Sequence, residues 1–177
     1  MSKPKAITKL LLLLTAVACI VGCDHVTKQV ATETLAEAPT QSFFFDVVRL
    51  SFVENTGSFL SLGADLPEFV RFVLFTLCAG ILLVVLIAYA VHARWSDTRL
   101  YGLAIFVAGG ASNWADRFVD GRVVDFLNLG VGQIRTGIFN VADVAILTGV
   151  TILMIGEYSR GRRERHEPSD SGEHATG

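Results

Sequence analysis

Four long apolar stretches, separated by polar connections, constrain this chain more than any other feature. They run from about Leu10 to Cys23, Phe69 to Val91, Leu100 to Trp114 and Ile138 to Ile155. A helix needs about 20 apolar residues to cross the roughly 30 Å hydrocarbon core of a bilayer. The second and fourth stretches meet that length directly. The first and third are shorter, and each meets charge at its far end: Asp24 and Lys28, then Asp116 and Arg117. Read as helices whose last turn directs its polar residues toward protein rather than lipid, they span as well. The expectation is a membrane all-α core of four transmembrane helices, at about residues 9–27, 69–92, 99–117 and 138–157. Composition agrees, at 51% hydrophobic and only 18% charged, where a soluble domain carries about 25% charged residues. A net charge of −2 and the lack of a basic stripe give no field that would attract nucleic acid.

Orientation follows from the cations. Nine of the 15 Lys and Arg residues lie in the N-terminal tail, around Arg94 and Arg99, and in the tail carrying Arg160, Arg162, Arg163 and Arg165. Those short segments, and so both termini, are expected on the cytoplasmic side. Residues 29–68 and 118–137 then face outward. Between Phe43 and Phe52 the first of these alternates in the manner of one or two short strands, before the turn-like Glu54-Asn55-Thr56-Gly57. The charged end, residues 159–177, has too little apolar surface to fold and reads as disordered, leaving residues 1–158 as the membrane domain. The first stretch has a second reading. Its basic start, apolar core and Val21-Gly22-Cys23 are those of a cleaved lipoprotein signal, although a multi-pass chain needs no separate export signal. Cys19, Cys23 and Cys78, an odd number set in or beside apolar runs, do not make a disulfide framework. The four histidines are scattered, which argues against a zinc site and leaves no evident partner for a cysteine nucleophile.

The chemistry is sought among acids close to membrane depth. Asp143 lies about one turn into the fourth apolar stretch, and Asp125 is flanked by apolar residues in Val123-Val124-Asp125-Phe126-Leu127. A carboxylate at a helix centre costs roughly 2.5–3.5 kcal/mol to insert. Two such acids brought together can share one proton, since adjacent carboxylates cannot both ionise cheaply. The ionised member can then take a proton from water while the neutral one hydrogen-bonds a scissile carbonyl, as in aspartic proteases. Each acid also has a plain structural reading. Asp125 can be a loop carboxylate, and Asp143 a helix N-terminal acid favoured by the dipole, with Asn140 as its cap. Asp116 beside Arg117 reads as an internal ion pair or cap. Asp24 and Lys28, at i and i+4, read as a structural pair. Asn55, Asn113 and Asn140 adjoin apolar runs and must find partners, either in turns and caps or against a substrate backbone. A relay of the same acids in a proton path is the competing function, though neither broken helices nor repeats point to a transporter.

Five segments in order carry a resemblance: Asp24-His25-Val26-Thr27-Lys28, Asn55-Thr56-Gly57, the run from Gly109 to Arg117, Val123-Val124-Asp125-Phe126, and the run from Phe139 to Asp143. In them the chain resembles the lipoprotein signal peptidases, the signal peptidase II family of bacterial inner membranes. The resemblance covers nearly the whole chain apart from its tails. It implies an aspartyl endopeptidase with four helices and a small extracytoplasmic β-cradle, using no metal or other cofactor. It implies a diacylated prolipoprotein as substrate, met in membrane lipid and cut on the N-terminal side of the lipidated cysteine. By position it assigns the catalytic roles to Asp125 and Asp143. It places Asp24, Lys28, Asn55, Asn113, Asp116, Arg117 and Asn140 among the residues that bind substrate or support the site. Two departures touch the groove rather than the acids: Ser112 stands where the family usually has Gly, and Ser58-Phe59 replaces a small-small-aromatic run. Val21-Gly22-Cys23 falls within the family's first span.

Overall fold

A computed structural model describes residues 3–58, 61–92 and 97–166. Helix α1 runs Lys3–Leu35, and strands β1 (Gln41–Phe43) and β2 (Val48–Asn55) follow. A second rod is built of α2 (Glu68–Arg71), a π-helical stretch (Phe72–Cys78) and α3 (Ala79–His92). Helix α4 (Asp97–Asp120), strands β3 (Val123–Val131) and β4 (Ile134–Arg135), and helix α5 (Val141–His166) complete the chain.

Three helices are long and apolar enough to cross a membrane, over Leu11–Leu35, Glu68–Tyr89 and Val141–Arg162. Large apolar side chains such as Leu11, Ile81, Val84 and Leu147 are more than half exposed on them. Leaving each in water forfeits roughly 1.5–3 kcal/mol of burial, so lipid is the solvent these faces fit. Helix α4 has 24 residues, about 36 Å at 1.5 Å per residue, and so is also long enough. It carries Asp116, Arg117 and Asp120 at one end, and it packs against α1, α3 and α5. A helix enclosed by three others meets little lipid and can hold polar residues.

The tightest helix contact joins α4 to α5 through small residues. A Cβ on Gly149 would lie 2.5 Å from the Phe106 nitrogen and 2.6 Å from the Gly102 carbonyl, and one on Gly109 would run into the Ala142 carbonyl. Backbones approach this closely only where side chains are absent. On α1 a narrow stripe of Asp24, Lys28, Ala31 and Leu35 is buried, at the i, i+4, i+7, i+11 spacing of one helix face.

The strands form one antiparallel sheet in the order β1-β2-β3-β4, with a bulge between Leu50 and Val53. Val53 pairs with Asp125 and Asn55 with Val123, at the end of the sheet nearest the helices. An isolated bridge from Leu127 to Phe139 ties β3 to the residues just ahead of α5.

Two expectations are corrected. The first span does not stop near residue 27, because α1 continues to Leu35 with its buried stripe unbroken. Residues 159–166 are helical rather than disordered, as the extension of α5; Arg and Glu are good helix formers and need no core once a helix is under way. The rest of the expected disordered tail lies outside the described residues. The three cysteines are free and exposed.

Candidate active site

Asn140 is the hinge of the site. It precedes α5 as its N-cap. Its side-chain oxygen accepts from the Asp143 amide at 2.9 Å, and the Asp143 carboxylate accepts from the Asn140 amide at 3.1 Å. This reciprocal pair satisfies two backbone donors of the kind that helix N-termini leave open. The Asn140 side-chain amide then donates to Asp125 Oδ1 at 2.7 Å and to Asn113 Oδ1 at 3.2 Å. One residue therefore touches both candidate acids, Asp125 from β3 and Asp143 from α5.

Each carboxylate has one further amide donor. Asn55 gives its Nδ2 to Asp125 Oδ2 at 2.8 Å, and Asn113 gives its Nδ2 to Asp143 Oδ1 at 2.9 Å. The direction of the Asn113 amide is set by Lys28, whose Nζ donates to Asn113 Oδ1 at 2.8 Å. An ammonium has no acceptor. The oxygen must therefore face Lys28, and the NH₂ group faces Asp143. Burial pushes the Asp125 carboxyl up to about 6; the charge of Asp143 adds to this, while the amides of Asn55 and Asn140 and the Lys28 charge oppose it. A carboxyl in that range can hold or release a proton near neutrality.

Behind the amides lies a second acid cluster. Lys28 Nζ stands 2.6 Å from both Asp24 and Asp116. Asp24 is fully buried and also accepts from the Ser112 hydroxyl at 2.7 Å and the Ala142 amide at 2.8 Å, fixing α1 and α4 to the first turn of α5. The structural pair expected of Asp24 and Lys28 is present. The Asp116–Arg117 pair expected from adjacency is not how these residues are used. Asp116 pairs with Lys28, while Arg117 donates to the Gly57 carbonyl from Nη2 at 2.8 Å and to the Asn113 carbonyl at 3.1 Å. Successive side chains on a helix point about 100° apart, so neighbours in sequence face different partners.

Sequence reasoning did not single out two contributors. Ser112, noted only as a departure, supplies Asp24 with a donor. Gly57 presents its carbonyl to Arg117 and is packed so closely that a Cβ there would lie 2.6 Å from the Leu62 carbonyl. Nothing in the sequence signals the first; the turn-like Asn55-Thr56-Gly57 hints at the second. Phe59, the other departure, lies outside the described residues.

An open cavity of about 520 Å³ leads to this network between the π-helical stretch, α3, α4 and α5. Phe75, Leu82, Leu83, Phe106 and Leu147 give it apolar walls, and its polar end is Asn113, Arg117 and Asp143. Asp125 does not line it; it is buried at 3% exposure, on the far side of the Asn140 amide. Trp114 also borders the cavity and donates its indole N–H to the Thr76 carbonyl in the π-helical stretch at 2.8 Å. An elongated apolar ligand with a polar group at one end fits this shape. Among the described residues no group of three or more His, Cys, Asp or Glu is arranged to hold a metal ion.

Known proteins are similar to this chain in sequence and in fold. A sequence model of peptidase family A8, described as signal peptidase (SPase) II, matches residues 16–158. A lipoprotein signal peptidase of a Cyanothece species is 34% identical over 153 residues, spanning 82% of this chain and 85% of that protein. The lipoprotein signal peptidase of Streptococcus pneumoniae is 31% identical over 157 residues, spanning 86% and 93%. The fold is similar to that of a solved bacterial membrane enzyme, with a TM-score of 0.74, 20% identity and 94% of each chain covered. With its family model covering most of the chain and its fold that of a membrane enzyme, the chain belongs to the signal peptidase II family of peptidases.

Proposed function

We propose that this protein removes the signal peptide from diacylglyceryl-modified prolipoproteins, as an aspartyl endopeptidase whose acids are Asp125 and Asp143. The observation that carries the reading is Asp143 at the polar end of an apolar cavity, with Asp125 joined to it through Asn140 just behind. The pair shares one proton. The ionised carboxylate removes a proton from water, and the hydroxide attacks the carbonyl carbon of the residue preceding the lipidated cysteine. The protonated carboxyl hydrogen-bonds the carbonyl oxygen and donates as charge grows there. Collapse breaks the C–N bond, the leaving cysteine nitrogen takes up a proton, and the signal peptide keeps the new carboxylate.

The remaining polar residues bind or position. Asn113 and Asn140 aim donors at the acids, Asn55 holds Asp125, and Lys28 with Asp24 and Asp116 fixes the amides from behind. Arg117 holds the Gly57 carbonyl beside the cavity mouth. The apolar walls suit a signal-peptide helix and acyl chains. In this reading α4 also spans, as the third of four helices of a multi-pass protein of the bacterial inner membrane. Residues 1–158 form the peptidase domain, with both termini cytoplasmic and the site at the outer face. The test is cleavage of a diacylated precursor by protein reconstituted in lipid, with the unmodified precursor as control. Product from the lipidated form alone, lost in Asp125→Asn and in Asp143→Asn, is the expected result. Near-normal turnover in either variant overturns the assignment.

A further inference from the structure

The sheet has two unlike ends. One carries Asn55 and Asp125 into the site. At the other, two hairpin turns converge: the Gly130 amide donates to the Val47 carbonyl at 2.9 Å, and Arg135 Nη1 to the Asp46 carbonyl at 2.7 Å. Both turns bare large apolar side chains. Phe44 and Phe45 are 77% and 106% exposed, Val131 and Ile134 are 73% and 85% exposed. The first turn is also strained, with φ of +53°, +55° and +70° at Phe44, Phe45 and Asp46. Aromatic L-residues rarely adopt that region. The turn is held in it by Asp46, whose carboxylate accepts from Ser42 at 2.7 Å and from Arg49 at 2.7 and 2.6 Å. A buttressed backbone thus directs two rings away from the protein.

We propose that this distal end of the sheet, Phe44 and Phe45 with Val131 and Ile134, is immersed in the outer leaflet of the bilayer as an interfacial anchor. Three observations choose lipid as the occupant. The apolar faces of α1, α3 and α5 already fix a bilayer around the helices. Leu127, in the middle of β3, is bridged to Phe139, two residues ahead of α5, so the strand lies level with the start of a span and not far above it. From Leu127 to Val131 the strand advances about 13 Å, so the tip lies within one leaflet's thickness of that level. Beside the rings Arg49, Arg135 and Ser42 all bond to Asp46, a polar belt with cations of the kind that lipid headgroups pair with. Aromatic rings backed by cations are the arrangement interfacial anchors use, and an exposed apolar patch of this kind marks a contact surface.

Power-saturation spin-label spectroscopy tests this on the full chain in nanodiscs of phosphatidylethanolamine and phosphatidylglycerol. Labels are placed at Phe45→Cys and, separately, at Val131→Cys, with Cys19, Cys23 and Cys78 replaced by Ala. Val85→Cys serves as the lipid-facing control and Glu37→Cys as the aqueous one. Both tip labels are expected to resemble the Val85 control, with oxygen collisions several-fold above those with a water-soluble nickel chelate. Nickel accessibility matching the Glu37 control at either tip position overturns the proposal. So does a label that leaves water only when precursor is added, which would make the tip a substrate contact. Spin–spin broadening that grows with protein concentration would assign the surface to a second copy and also overturns it.

Discussion

Two clusters of carboxylates share the heart of this molecule, and they are stabilised by opposite means. Asp24 and Asp116 meet a cation, Lys28, at 2.6 Å each. Asp125 and Asp143 meet neutral amides, those of Asn55, Asn113 and Asn140, and among the described residues neither makes an ion pair. The first pair of acids thus sits in an ion-paired cluster that ties α1 to α4. A buried acid held by amide donors, beside a second acid, can carry a proton or give it up. The two clusters touch through Asn113, which accepts from Lys28 and donates to Asp143. The ion-paired cluster thereby orients an amide that holds the other pair.

Neutralising one acid of the amide-held cluster breaks this contrast most sharply. Asp125→Asn and Asp143→Asn are each expected to lower cleavage of a diacylated precursor by at least about 10²–10⁴-fold, since both acid and base roles pass through the pair. The protein should still insert, as judged by its yield in membranes. A residual rate within tenfold of the parent would show that the amide-held acid does no proton transfer.

Titration should sharpen the difference next. With Asp125 raised to about 6, the folded protein binds this proton more tightly than the unfolded chain, whose carboxyl titrates near 3.9. The stability this group contributes is therefore greatest below pH 4 and is lost as pH rises to about 6. The thermal midpoint in detergent is expected to fall across that window, and the fall to shrink in Asp125→Asn. For the free enzyme, kcat/KM is expected to decline above the same pH as the shared proton leaves, in a profile that belongs to the pair. A flat midpoint between pH 4 and 6 would contradict the burial argument.

Lys28→Met attacks the other cluster. It leaves Asp24 and Asp116 without their cation and should destabilise the protein by about 3–5 kcal/mol, as removal of one partner from a buried pair does. Denaturation by guanidinium measures this. Asn140→Ala removes the cap of α5 and should cost about 0.5–2 kcal/mol, with a loss of cleavage larger than that stability change explains. Asp116→Asn, on the more exposed side of Lys28, should cost less than Lys28→Met, because Asp24 still pairs the cation; a loss equal to that of Lys28→Met would mean that Asp24 does not by itself satisfy it.

The helices were legible because lipid demands uninterrupted apolar faces, and those leave a plain trace in Phe69 to Val91 or Ile138 to Ile155. The continuation of α1 to Leu35 was not, since Gln29, Thr32, Glu33 and Thr34 look like a polar connection; only the sparse stripe through Ala31 and Leu35 betrays it. Strand β3 was read as a connection because two of its inward positions are Asp125 and Asn128, which erases the alternation of a half-buried strand. The candidate acids stood out by their discomfort in apolar surroundings. Their wiring did not: Lys28 reaches 88 residues along the chain to Asp116, and no local pattern records such a pairing. Adjacency misdirected the reading of Arg117, which turns away from Asp116 toward Gly57.

Asn140 simultaneously starts a helix and spaces two acids. Glutamine there would carry the amide one methylene too far to cap, and serine would cap without reaching Asp125 and Asn113 together. Aspartate would lose the amide donor and set a third carboxyl between two others. The spacing of the two candidate acids is thus inherited from the opening turn of α5. A chain in which that turn has not yet formed has nothing to hold these two carboxylates in register.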